Sequence, residues 1–196
     1  MTSNQSKKAN TYAFIDSQNL NLGVQKMGWK MDWRKFRQLL ADKYGVTKAY
    51  MFIGHVPEFE DMYVHMHELG YLVVLKPTSD MSKVHPEASK TEAVKSEHEK
   101  PEEKKPVKGN IDAELVLWAM KELKDYDKAI IVSGDGDFYC LAEYLDEIGK
   151  LGYIMTPNWQ YSGLLKRFEE RYIVRIDQLR RELSYRSVHR QNPKSK

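Results

Sequence analysis

The apolar run Ala129-Ile130-Ile131-Val132 breaks into Ser133-Gly134-Asp135-Gly136-Asp137-Phe138, and this junction leaves few folds open to the chain. An unbroken, largely β-branched run reads as a strand covered on both faces, the kind found in parallel α/β sheets. The break then sets two carboxylates two positions apart at the carboxyl end of that strand, where ligands collect in open α/β sheets. A second strand ends in the same way. Tyr12-Ala13-Phe14-Ile15 runs into Asp16, with Ser17, Gln18 and Asn19 directly behind it.

Elsewhere short apolar runs alternate with helix-length amphipathic segments. Strands are expected over 12–16, 48–53, 71–75, 128–133, 151–155 and 171–175. Helices are expected over 32–44, 58–69, 112–124, 137–148 and 162–169, and from Asp177 toward Tyr185, with Asp32 as an N-cap and Gly45, Gly70 and Gly149 as stops. Residues 17–31 read as a loop. The fold class that follows is α/β, a mostly parallel sheet flanked by helices, in one domain over 11–183. The 196 residues, 41% of them hydrophobic, suffice for its core. Residues 1–10 read as a flexible N-terminus and 184–196 as a basic C-terminal tail. Between about 77 and 107 the chain turns to Lys, Glu, Ser and Pro, too poor in apolar groups to offset ordering entropy, and reads as a charged, solvated insertion.

Several classes are disfavoured by the composition. A net charge of +3 is too mild to point to nucleic acid by itself. The single Cys140 forms no intrachain disulfide, and no signal-peptide pattern opens the sequence, so a reducing, cytoplasmic setting is expected. No run approaches the ~18 apolar residues of a membrane span. His55, His65, His67, His85, His98 and His189 are too scattered for zinc, and neither a phosphate-binding glycine loop nor a serine-nucleophile elbow is present.

The acidic residues are more informative. Asp16 and Asp135 end separate strands, Asp137 opens a helix, and Asp112 opens the helix before the fourth strand, so parallel topology brings all four to one rim. Four like charges repel unless neutralised, and hard cations such as Mg²⁺ or Mn²⁺ take oxygen ligands of this kind. Singly, Asp112 reads as an ordinary cap and Asp135-Gly-Asp137 as an ordinary turn. Their coincidence with a strand-end Asp in a distant segment argues for a metal site. Ser133 and Ser162 are candidates to donate to a phosphate or an Asp, or simply to bond within their turns. Trp159 and Tyr161 follow the fifth strand, where bases of a single strand can stack, although packing of the loop explains them equally. Arg180, Arg181, Arg186, Arg190, Lys194 and Lys196 form a candidate phosphate-tracking arm.

At these residues the chain resembles the NYN family, the LabA-like branch of the PIN-like ribonuclease domains. Phe14-Ile15-Asp16-Ser17-Gln18-Asn19-Leu20 is similar to the family's opening strand and Asn-bearing loop. Lys108-Gly109-Asn110-Ile111-Asp112 resembles its Lys-Gly-x-x-Asp segment, and Ser133 to Phe138 its Ser-Gly-Asp-x-Asp-Phe signature, in the same order. The resemblance extends over about 12–179. It implies a Rossmann-like sheet and Mg²⁺- or Mn²⁺-dependent hydrolysis of RNA phosphodiesters, with single-stranded RNA as partner, by Asp16, Asp112, Asp135 and Asp137 with Asn19 in support. In that scheme Asp16 and Asp135 are direct metal ligands, Asp112 and Asp137 direct or water-mediated ones, and Asn19 an orienting hydrogen-bond partner of a carboxylate or water. Two departures stand out: the charged insertion, and Trp118 where the family often carries another Asp, six residues beyond Asp112.

Trp118 favours an alternative, a catalytically weak or inactive RNA-binding or assembly module of the same fold; self-association also stays open. A phosphatase with a strand-end Asp-x-Asp is disfavoured, because Asp16 is followed by Ser17 and Gln18 rather than by a second Asp two positions on.

Overall fold

The computed structural model describes residues 9–76 and 111–185. Most of the N-terminal segment, the charged insertion, the Lys108-Gly109-Asn110 part of the second motif, and the tail cations Arg186, Arg190, Lys194 and Lys196 lie outside the described residues.

Six strands form one sheet: β1 (Thr11–Asp16), β2 (Val46–Gly54), β3 (Leu72–Lys76), β4 (Lys128–Val132), β5 (Leu151–Thr156) and β6 (Ile173–Arg175). Every pairing is parallel, in the order β3-β2-β1-β4-β5-β6. The chain leaves β1 toward one edge and, after β3, returns to β1's other side to build outward through β4. The point where strand order reverses therefore lies between β1 and β4, and in open α/β sheets the ligand crevice lies beyond the strands' carboxyl ends at such a point. Asp16 ends one of these strands and Ser133 follows the other.

Alternation along the strands feeds two core layers. Ala13 and Ile15 of β1, Met51 of β2 and Val132 of β4 pack on one face against α1 (Ser17–Lys26), α2 (Trp33–Asp42) and α3 (Glu60–Glu68). Tyr12, Phe14, Tyr50 and Ile131 face α4 (Asp112–Lys121) and α5 (Tyr139–Glu147) on the other. Burial of both faces of the central strands explains their continuous apolar runs. Asp32 caps α2 by accepting from Lys35 N at 3.2 Å, and Gly45, Gly70 and Gly149 end their helices at φ of 66°, 88° and 69°. No helix among the described residues is long and apolar enough to cross a membrane.

Three segments differ from the sequence reading. Residues 17–26 form α1 rather than a loop: Asp16 accepts from Asn19 N at 3.0 Å as N-cap, and Leu20 and Val24, one turn apart, bury a narrow apolar stripe. Segment 162–169 forms only a 3₁₀ turn, Leu165–Arg167, instead of a helix. Ser162 directs its N–H to Gly134 O, at 2.9 Å, and its Oγ accepts from Leu164 N, at 3.3 Å, so the local groups close a turn against the β4 loop. The last helix likewise shortens to a 3₁₀ turn, Ile176–Leu179, followed by α6 (Arg180–Leu183).

Phe14 is fully buried and stacks on Tyr50, with ring centroids 5.5 Å apart. Phe14→Ala should cost about 3–5 kcal/mol of stability, measured by urea denaturation, because the central strand cannot move to fill the void.

Candidate active site

Asp16 joins the two strands at the reversal point. Its backbone ends β1 while its carboxylate faces two ways: Oδ1 caps α1 through Asn19 N, and Oδ2 accepts from Ser133 Oγ at 3.2 Å. Ser133 is fully buried and passes the connection onward, since its Oγ also accepts from Asp135 N at 3.1 Å. Asp135 Oδ1 in turn accepts from Asp137 N at 3.1 Å. Asn19 closes the other side, its Oδ1 accepting from Gly134 N at 2.9 Å. The Asn19 side chain thus orients the turn after β4, whereas its backbone N–H holds the Asp16 carboxylate. Glycine is required at 136 because a Cβ there would overlap Ser162 Oγ.

Electrostatics ties four acids to this place. The Asp16 carboxyl is pushed up from 3.8 to about 6, chiefly by burial. Hydrogen bonds from Asn19 and Ser133 oppose the rise, while the negative charges of Asp112 and Asp135 add to it. Asp112, half-buried in the first turn of α4, is also raised, by burial and then by the charges of Asp135 and Asp137. Carboxylates from β1, α4 and the turn after β4 therefore act on one another across the crevice. Lys76, which ends β3, counters the rise at Asp112 and pairs with Glu114 of α4 at 3.0 Å. Sequence reasoning missed Lys76, although its place as the final residue of a parallel strand was a usable signal.

The donor set consists of hard oxygens. Among the described residues no three His, Cys, Asp or Glu side chains are drawn together tightly enough to form a closed ion nest. Mg²⁺ is ordinarily bound by one or two carboxylates, with waters completing its shell, so an open acidic crevice suits it better than it suits zinc. His65 and His67 are exposed on α3, away from any such cluster.

The remaining expected residues divide. Ser162 bonds within its turn and touches the glycine between the two loop acids. Trp159 is 53% exposed, whereas Tyr161 is partly buried against the core with Lys166 Nζ 5.4 Å from its ring centroid. Arg180 donates to Met27 O at 3.4 Å and Gly28 O at 3.3 Å, at the far end of α1. Ten helical residues span about 15 Å, so Arg180 stands well away from the acidic rim and neutralises a helix C-terminus instead. Arg181 is exposed on the same short helix. Trp118 lies with its ring 5.4 Å from that of Tyr50, and Lys121 Nζ is 4.4 Å from its centroid. Position 118 is about 9 Å along α4 from Asp112, beside the middle of β2 and below the rim, so the tryptophan displaces none of the four acids.

A doubly wound α/β sheet with acidic residues at its reversal point defines the class of this protein. Residues 10–175 match the NYN domain family, and the chain belongs to it. It is 26% identical over 167 residues to the low amplitude and bright protein LabA of Synechococcus elongatus, covering 82% of this chain and 80% of that protein. The fold is shared with the crystal structure of a protein of unknown function from Vibrio parahaemolyticus, at a TM-score of 0.62 and 22% identity, over 90% of this chain and 97% of that one.

The raised carboxyl of Asp16 carries a sign. Its pKa is 3.8 in the ordinary state and about 6 in the fold, so the native state binds the proton more tightly across that interval. Stability therefore falls as pH rises from about 4 to about 6, and the penalty is complete above that. In chelator near neutral pH, Asp16→Asn should exceed the wild type by roughly 1–3 kcal/mol. The gap should close near pH 4; urea denaturation at both pH values tests this.

Proposed function

We propose that this chain is a metal-dependent ribonuclease that hydrolyses RNA phosphodiester bonds at the crevice between β1 and β4. The observation that carries the reading is the buried Asp16 carboxylate, bonded to Ser133 and placed in the field of Asp112 and Asp135. Such an arrangement is unfavourable for a structural carboxylate, and acids with raised pKa values in a cleft are a signature of functional sites. The NYN family match, and the nuclease activity its resemblance implies, support the same chemistry.

Asp16 and Asp135 would hold Mg²⁺ or Mn²⁺ directly, with Asp112 and Asp137 as direct or water-mediated ligands. When bound, such an ion activates water for in-line attack on phosphorus and stabilises the leaving oxygen. The protein's own groups do the positioning. Ser133 and the Asn19 N–H fix the rotamer of Asp16, Asn19 Oδ1 fixes the turn that presents Asp135, and the Asp135 carboxylate orders the Asp137 backbone. The α1 N-terminus favours negative charge at Asp16 and so keeps it competent as a ligand. A reducing, cytoplasmic setting suits the unpaired, exposed Cys140.

Labelled RNA should be cut in Mn²⁺ or Mg²⁺ and spared in EDTA, with Asp16→Asn and Asp135→Asn each lowering the rate by more than about 100-fold and Asn19→Ala by about 10- to 100-fold. Binding without cleavage by the wild type would select the non-catalytic module instead. Release of phosphate from small monoesters would select a phosphatase.

Ion binding gives a separate readout. Mn²⁺ should raise the melting temperature of the wild type in a concentration-dependent way and leave that of Asp16→Asn nearly unchanged, as followed by thermal unfolding.

A further inference from the structure

The segment after β5 is fastened far more tightly than an ordinary surface loop. Asn158 is 5% exposed, and its side chain bonds in two directions: Nδ2 donates to Gly23 O of α1 at 2.8 Å and Oδ1 accepts from Gln160 N at 2.7 Å. Pro157 is buried over Gly23, where a Cβ would overlap the proline ring. A methyl group added at Gly134 would meet Pro157 Cδ and Tyr161 Cβ, each at 3.2 Å, and Ser162 N donates to Gly134 O at 2.9 Å. Both shoulders of the loop thus lean on the glycine immediately before Asp135. At its tip, between those shoulders, stands Trp159, 53% exposed.

The indole is about half exposed on a backbone that is already ordered, so a ring that stacks on it need not also order the loop. We propose that Trp159 is a platform for one unpaired base, seated beside the acidic crevice. This inference rests on the RNA reading above and deepens it. The structure separates the two aromatics that the sequence offered together: Tyr161 packs against the core beside Lys166, leaving Trp159 as the free face. A base in a duplex already has both faces stacked and offers none to the indole, whereas an unpaired base does, which makes the platform selective for strand state and tolerant of sequence.

Tryptophan fluorescence makes the test direct, because Trp29 is buried and Trp33 and Trp118 are only partly exposed. Binding of a short single-stranded RNA and of the same sequence as a duplex is measured by anisotropy and by quenching, in EDTA so that cleavage plays no part. Trp159→Ala should weaken single-strand binding by about 5- to 100-fold, Trp159→Phe should restore most of it, and duplex binding should be weaker and indifferent to both changes. Urea midpoints matching the wild type establish that the variants are folded. Single-strand affinity unchanged within about twofold in folded Trp159→Ala overturns the proposal, as does a duplex bound as tightly as the single strand. Failure of metal-dependent cleavage alongside Trp159-dependent binding removes the catalytic reading and leaves the platform standing.

Discussion

The hydrogen bond from Ser133 to Asp16 ties together the carboxyl ends of the two paired strands, β1 and β4, between which everything else in this protein is arranged. It spans 117 positions of sequence, is buried, and ends on a carboxylate that also caps the first helix. A charged acceptor makes such a bond stronger than a neutral one, and its burial makes loss of either partner costly. Through it the end of β1, the start of α1 and the turn after β4 become one unit, and the loop after β5 joins that unit through Gly134 and Gly23.

The same contact explains why the crevice is electrostatically loaded. Burial and two neighbouring negative charges oppose ionisation of Asp16, while a helix N-terminus and two donors favour it. These influences leave the carboxyl near the middle of the accessible pH range rather than at its usual low value. A cation added to this environment would invert the balance. Trp118 packs on Tyr50 well below the rim, so it displaces none of the four acids, while the carboxylate the family often carries at that position is absent.

Much of the fold was legible because burial on both faces leaves a strong trace. The run at 129–132 reads as a strand covered on both faces and that at 12–15 as a second strand, and they are β4 and β1. Asp32 and the glycine stops also behaved as local chemistry dictates. The first helix was harder to see. Its residues include Asn21 and Gly23, and only Leu20 and Val24 are fully covered, so its periodicity is faint. Gly23 weakens the helix locally, and the reason for it appears only in three dimensions, where Pro157 occupies the space a side chain would need. Segment 162–169 fails in the opposite sense: its apolar spacing suits a helix, but bonds to and around Gly134 hold it in a turn. Arg180 shows the same limit for charge, since a basic run in sequence says nothing of the carbonyls at Met27 and Gly28 that claim it.

The sequence alone determined the parallel α/β class, the placing of the acids at the ends of strands and starts of helical turns, and their hard-oxygen character, because periodicity, turn residues and ligand chemistry are local properties. Tertiary structure decided what those residues do to one another. It set β1 beside β4 and turned the Asn19 side chain to the turn rather than to a carboxylate. It also packed Tyr161 partly against the core while leaving Trp159 outside, and drew Arg180 away from the rim. These outcomes depend on contacts between segments tens to more than a hundred residues apart, whose geometry no local pattern encodes.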